Sequence, residues 1–382
     1  MRILMFNPFS QLAAIRQLGL ARAMAKHGHD VTVVLPKYDK YSGYEDKEVI
    51  DDKINIIHPR QIKIKQMELS MLLYLPSALK QAMKNKYDVV HGFRPTPFSG
   101  YIGEKVAKYQ KIPFILEIGD VEAEVMKGIK HPSYRVKVIE KIEKDLVNKA
   151  KGITTMSPNL ADYISKKYNK QVKYIPSGIN TKQFSPDICG TLKDIFKNNK
   201  QHVLMYVGKL DKSGHVLDMI EVLTEVKNVS LVVVGDGEGK ISLIEFAKKL
   251  NVYDRCIFTG RATHEDIPKY LASADILIAP FSKDMVGAEF TLNLKVLEYM
   301  GMGKPIIISN QGILKDILKD CAFFYEPDDV KDFAKTIKYV LKNKKEVQKR
   351  ITNTNKKVLE YDWNKLSKQM IKYYEEIIKN ES

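Results

Sequence analysis

The 382-residue sequence predicts an α/β protein of two doubly wound, Rossmann-like domains facing each other across a cleft. Three observations support this. Short β-branched runs alternate with amphipathic stretches along nearly the whole chain, the pattern of parallel strands joined by crossover helices. The rhythm runs once, meets a Pro- and Gly-containing stretch from Pro176 to Pro186, and starts again. The length is enough for two substantial cores.

The first domain is read as residues 1–180, with strands at Ile3–Phe6, Val31–Leu35, Val89–His91, Phe114–Glu117 and Ile153–Met156. The second is read as 181–355. Its strands, Val203–Val207, Val229–Val234, Cys256–Thr259, Ile276–Ala279 and Ile306–Ile308, alternate with helices near 215–226, 239–250, 265–273, 293–302 and 330–343. The polar run Lys197–Lys200 follows the boundary, and no low-complexity linker separates the two. Residues 356–382 hold a closing helix, because Met370, Ile371, Tyr374 and Ile378 recur at helical spacing after Trp363. That helix is suited to brace the domains or to cross back to the first. Open α/β sheets bind ligands at the carboxyl ends of their strands, so the expected site lies where the two edges meet.

Sixty-two Lys and Arg stand against 46 Asp and Glu, a formal charge of +16. Residues 1–180 carry 30 basic and 18 acidic side chains, and the remainder 32 and 28. A basic half beside a balanced one suits an anionic surface or substrate, although a Lys-rich composition gives the same excess. The three cysteines, Cys189, Cys256 and Cys321, are far apart and supply neither a disulfide framework nor a zinc site. The N-terminus reaches Asn7 too soon for a signal-peptide core, and no apolar run approaches the ~18 residues that span a bilayer. The expectation is a cytoplasmic protein. The mixed apolar and basic stretch Ile62–Pro76, with Lys80, Lys84 and Lys86, suits either peripheral contact with an anionic inner membrane face or a core-facing helix with solvated lysines. Glu122/Glu124 and Glu140/Glu143 read as solvated helix faces.

Three stretches carry chemistry. Val234–Lys240 is a Gly-rich turn after a strong strand. It fits neither a dinucleotide fingerprint nor a Walker A loop, which leaves an anion-binding turn or a tight strand-to-helix turn. Tyr206–Gly214 brings Lys209 and Lys212 to a sheet edge, where two cations can meet a phosphate, or else form an ordinary exposed loop. Glu289–Pro305 contains a helix beginning near Asn293. Its free N–H groups could hold a diphosphate, and its Glu298 could accept from a ribose diol; alternatively Glu298 is a surface carboxylate.

In order along the chain, these segments resemble the GT-B-fold glycosyltransferases, specifically the retaining, nucleotide-sugar-dependent glycosyltransferase family 4. Asp88–His91 and Ile153–Ser157 resemble strands of its first domain, and Tyr174–Asn180 with Phe184 resembles its V-I-P-N-G-V-D-x-x-x-F linker. Gly208-Lys209-Leu210 with Lys212–Gly214, Val234–Gly237, Phe258–Gly260, Tyr270–Asp275, and Leu297–Met300 with Gly303–Pro305 follow in succession. The resemblance implies catalytic roles for Lys209 and Lys212 at the donor diphosphate and for Asp120 toward the donor sugar or acceptor. It implies donor contacts at Gly208, Gly235, Arg261, Glu289, Asn293, Leu294, Lys295 and Glu298, and acceptor or sugar contacts at Ser10 and His91, although His91, at a strand's carboxyl end, reads equally well as a structural histidine. Lys209 stands where Arg is usual, and Phe290 where the first acid of an E-x7-E pattern belongs, with Glu289 one residue away. Gly119 replaces a His, and Asn7–Ser10 lacks the usual Gly pair. Lys295–Met300 resembles a subgroup with a K-x-x-E-Y-M pattern.

The resemblance implies a nucleotide sugar as co-substrate, no cofactor and no metal, with the diphosphate charge met by Lys209, Lys212 and a helix N-terminus. A nucleotide-sugar epimerase of the same fold and a non-catalytic nucleotide-sugar binder are the competing readings. No basic-aromatic platform or reading motif points to nucleic acid. Since the more basic half is the acceptor half, the implied acceptor is anionic or membrane-embedded, such as a lipid-linked sugar phosphate, or another glycan.

Overall fold

The structure is a computed structural model, in which residues 1–9, 14–37, 54–60, 67–128, 132–190, 201–210, 216–284, 287–290 and 292–381 are described. The chain divides into one unit of Met1–Gly178 with Trp363–Ser382 and another of Ile179–Asp362. All strand pairings described in both are parallel.

The first unit's sheet is built from β1 (Arg2–Phe6), β2 (Asp30–Val34), β3 (Asn55–Ile57), β4 (Val89–Phe93), β5 (Phe114–Ile118), β6 (Gly152–Thr155) and β7 (Lys173–Tyr174), in the order β3-β2-β1-β4-β5-β6-β7. β4, β5 and β6 are buried at every position, as parallel strands covered on both faces require. Ser157, which follows β6, caps the Pro158–Tyr168 helix by accepting from Leu160 N at 3.2 Å.

The chain returns to this unit at Trp363, the start of the Trp363–Glu381 helix. Trp363, Leu366, Met370 and Tyr374 share one core with Ile3, Leu20 and Val33. The indole is wedged between two glycines. A Cβ on Gly19 would stand 2.4 Å from its Cε2, and one on Gly178 2.5 Å from its Cε3.

Two ionisable side chains lie inside these buried strands, and each needs its own partners. Glu117 of β5 is 2% exposed and takes a bidentate contact from Arg16, Nε to Oε1 at 2.8 Å and Nη2 to Oε2 at 2.6 Å. The same guanidinium donates to the carbonyls of Pro176 at 2.5 Å and Ile175 at 2.9 Å, so the ion pair also fixes the chain just before it leaves the unit. His91 of β4 is completely buried, with Nδ1 2.6 Å from the Tyr374 hydroxyl and Nε2 3.4 Å from Thr154 Oγ1. Of the two readings of His91, the structure fits the structural histidine and not contact with acceptor or sugar, because its ring is a core group tied to the closing helix.

Glu143 is a second correction. It is 1% exposed and accepts from Lys167 Nζ at 2.8 Å and from the Tyr168 hydroxyl at 2.5 Å, whereas Glu140 stays at the surface beside Lys127. In the stretch Ile62–Pro76, residues 62–66 lie outside the described residues, and Met67–Ala82 is a helix that buries Tyr74, Ala78 and Ala82.

The second unit's sheet contains β8 (His202–Val207), β9 (Val229–Val234), β10 (Cys256–Gly260), β11 (Ile276–Ala279), β12 (Ile306–Ser309) and β13 (Phe323–Tyr325), in the order β10-β9-β8-β11-β12-β13. Separate apolar clusters cover its two faces, one around Met205, Val232, Leu277 and Met300, the other around Leu204, Ile220, Leu231 and Phe333. The sequence did not anticipate β3, β7, β13 or the Lys344–Lys357 helix. The strands have two or three residues each, and the helix fully buries only Thr354, so neither offers a periodic apolar signal. Among the described residues no helix is long and apolar enough to cross a membrane.

Glu117→Gln removes the charge that Arg16 is buried against and is expected to cost about 3–5 kcal/mol, read as a lower denaturant midpoint. Burial, and secondarily the Arg16 charge, depresses the His91 imidazole from 6.5 to about 3. Its contribution to stability is present above pH 6.5 and lost progressively as pH falls toward 3, because the unfolded chain then binds the extra proton. Thermal midpoints of His91→Gln should fall less steeply than those of the wild type as pH falls from 6.5 toward 3.

Candidate functional site

In the second unit the strand order reverses between β8 and β11, and the carboxyl edge there is where an open α/β sheet holds its ligand. β8 runs out into Gly208, Lys209 and Leu210, and the Leu294–Gly301 helix starts after Asn293, which has extended dihedrals of φ −65 and ψ 137. Val296 N donates back to the Asn293 carbonyl at 3.0 Å, and the amides of Leu294 and Lys295, ahead of it in the first turn, have no intrahelical acceptor. The Asn293 side-chain Nδ2 is buried and makes no hydrogen bond among the described residues.

Each position of the Lys295–Met300 pattern has a distinct task. Lys295 Nζ lies 3.0 Å from the Tyr206 hydroxyl and 4.4 Å from the centre of the Tyr206 ring, and a Cβ on Gly208 would come within 2.7 Å of it. The Tyr206 hydroxyl in turn donates to the Lys209 carbonyl at 3.2 Å, so one buried phenol links both lysines at the end of β8. Tyr299 is wholly buried and accepts from Val207 N at 2.8 Å, which pins the helix to the last residue of the strand. Met300 is core. Glu298, 13% exposed, faces His264 Nε2 at 3.0 Å. The arrangement places two lysines and a helix N-terminus around one strand end, with a carboxylate one turn along, which is chemistry suited to a polyanion attached to a polyol.

The remaining expected donor residues are differently placed. Gly235 (φ +152) and Gly237 (φ +155) allow the β9 turn to lie against the β8 loop: a Cβ would come within 1.9 Å of the Gly208 carbonyl and 2.1 Å of the Leu210 carbonyl respectively. The Gly235 amide donates to the Gly260 carbonyl at 2.9 Å. Expected as an anion contact, Gly235 is instead a packing glycine with its amide in use. Arg261 is exposed directly after β10, and Glu289 is exposed in a turn packed against Gly312. Lys209 is exposed. Lys212 lies outside the described residues, as does Ser10.

In the first unit the strand order reverses between β1 and β4. Asp120, just beyond β5, forms an ion pair with Arg94, which follows β4 in a left-handed conformation (φ +72) and lies 4.8 Å from the centre of the Phe9 ring. Sequence reasoning missed Arg94, Tyr206 and His264. A tyrosine inside an apolar strand reads as core, and the partners of Arg94 and His264 lie 26 and 34 residues away.

Two family models match, Glycosyltransferase Family 4 over residues 14–183 and Glycosyl transferases group 1 over residues 191–358. Among curated proteins, the chain is 22% identical to an uncharacterized glycosyltransferase of Methanocaldococcus jannaschii, over 94% of this chain and 93% of that one. It is 24% identical to the alpha-monoglucosyldiacylglycerol synthase of Streptococcus pneumoniae, over 80% of this chain and 69% of that one. Among solved structures it resembles sucrose-phosphate synthase from Thermosynechococcus elongatus, with TM-score 0.81, 18% identity and 100% of each chain covered. It also resembles Anabaena HepE in complex with UDP, with TM-score 0.75, 15% identity, and 98% and 100% covered. With two parallel doubly wound units and a family model matched over each, the chain belongs to the group 1, family 4 type of glycosyltransferase with the GT-B fold.

Proposed function

We propose that this glycosyltransferase moves a sugar from a nucleoside diphosphate sugar to an acceptor with retention at the anomeric carbon and without a metal ion. The observation that carries the reading is the convergence of Lys209, Lys295 and the Leu294–Gly301 N-terminus at the end of β8, with Glu298 on the same helix. As the glycosidic bond breaks, negative charge grows on the leaving diphosphate. Preorganised cations and amides stabilise that charge more than they stabilise the bound donor. In this reading Lys209 and Lys295 meet the phosphates, with Lys212 a further candidate, the amides from Asn293 to Lys295 hold the diphosphate, and Glu298 accepts from the ribose hydroxyls. Asp120, oriented by Arg94, belongs to the sugar or acceptor side.

Lysine serves here as a point charge, without the fixed fork of arginine. Two lysines and a helix N-terminus can together offset most of a diphosphate's charge, which is the basis for proposing metal independence. Retention follows in this reading if a donor phosphate oxygen takes the acceptor proton on the face the leaving group vacates. Support for a nucleotide-sugar donor comes from the structural likeness to Anabaena HepE, which was solved with UDP-glucose. An acceptor at a lipid surface is supported by the S. pneumoniae relative, named an alpha-monoglucosyldiacylglycerol synthase, and by the basic first half of the chain. The enzyme would then work at the inner face of the membrane as a peripheral protein.

Incubated with UDP-, GDP- or ADP-sugars and a glycolipid or polyprenyl phosphate acceptor, the protein should form product whose anomeric proton coupling matches the donor's, and EDTA should leave the rate unchanged. Conversion of the donor to an epimer with no transfer would establish the epimerase reading instead. Glu298→Ala and Lys209→Ala should each lower kcat/KM by roughly 10²-fold, with the Lys209 effect mainly in kcat and the Glu298 effect mainly in KM.

A further inference from the structure

We propose that His264 is the positioning residue for Glu298, holding this carboxylate in the one orientation from which it reads the ribose of the donor. The inference rests on the donor-site reading above and concerns a residue that the family resemblance did not assign. His264 lies in the loop after β10, and its Nε2 is 3.0 Å from Glu298 Oε1. Gln183 Nε2 lies 3.4 Å from both Nδ1 and the backbone carbonyl of His264. An amide donor facing Nδ1 leaves the ring proton on Nε2, aimed at the carboxylate.

The ring is held on a third side by Phe184, edge to face at 5.5 Å between centroids and 62° between planes. Gln183 and Phe184 sit on a turn closed by the Asn180 carbonyl, which accepts from their amides at 3.0 and 2.9 Å. That turn also abuts the end of the Glu298 helix, where a Cβ on Gly301 would stand 2.7 Å from the Phe184 carbonyl. The helix bearing Glu298 and the side chain orienting it are thus fixed by the one turn that runs from Asn180 to Phe184.

A carboxylate offers about four lone-pair positions. His264 takes one on Oε1, leaving Oε2 and the outer face of Oε1 for a vicinal diol. Without that donor, Glu298 can rotate about its side-chain torsions, and the pair of acceptors no longer matches two adjacent hydroxyls.

The test is isothermal titration with UDP, GDP and ADP, followed by the 2′,3′-dideoxy form of whichever binds tightest. Wild-type protein should prefer the ribonucleotide by ~tenfold or more, the loss of hydrogen bonds to a charged group. In His264→Ala this preference should collapse to about twofold with the thermal midpoint unchanged, since the side chain is 45% exposed. In His264→Gln, whose amide can reach where Nε2 stood, much of the preference should return. A His264→Ala protein that keeps the wild-type preference overturns the proposal while leaving the donor reading intact. Wild-type protein that binds none of the three nucleotides, or binds both sugar forms equally, overturns the assignment of Glu298 and this proposal with it.

Discussion

A parallel sheet covered on both faces has no wet side, and this constraint organises the molecule. A side chain that must meet water or an anion can sit only where a strand ends. β4, β5 and β9 are buried from end to end, and the groups that could do chemistry emerge just past strand ends: Arg94 after β4, Asp120 after β5, Lys209 after β8 and Arg261 after β10. The two ionisable residues within these strands, His91 and Glu117, are satisfied inside the protein. One is held neutral by burial, and the other is clamped by a guanidinium that also holds the carbonyls of Ile175 and Pro176.

Much of this is legible in the sequence because the constraint leaves a strong signature. Runs such as Leu231–Val234 and Ile306–Ile308 are too apolar for anything but a doubly covered strand. The tandem repetition of the pattern indicates two units. The elements that escape are those with no such signature: edge strands of two or three residues and the almost fully polar-faced Lys344–Lys357 helix. Glu143 reads as solvated for a related reason, since its partners Lys167 and Tyr168 come from the following helix and a helical wheel of its own segment cannot reveal them.

The site is legible by residue type and less so by role. Lys295 and Glu298 stand out in the sequence, and Lys295 is expected there to contribute through its amide. The structure gives its side chain a place on Tyr206, beside Gly208. Tyr299 looks like part of a motif and is a hydrogen-bond acceptor for the end of β8. Conversely, the Gly-rich turn after β9 invites an anion and serves backbone packing. Glycine patterns report close approach of something, and only the fold says whether that is a ligand or the chain itself.

That distinction bears on how the cationic edge is built. Among the described residues that follow β8, Gly208–Leu210, Lys209 is the exposed one, but its backbone is held on several sides. Gly208 N donates to the Val234 carbonyl at 3.0 Å, Leu210 N to that of Asp236 at 3.1 Å, and Gly239 N to that of Leu210 at 3.0 Å, while Tyr206 holds the Lys209 carbonyl. Gly235 and Gly237 make this lacing possible by letting the two loops touch backbone to backbone. A cation on a laced loop has its backbone ordered during folding, before any anion arrives, so only the side chain remains to be fixed. In the proposed donor reading the glycines therefore serve charge stabilisation through the fixed backbone at Gly208–Leu210, although they offer no contact of their own.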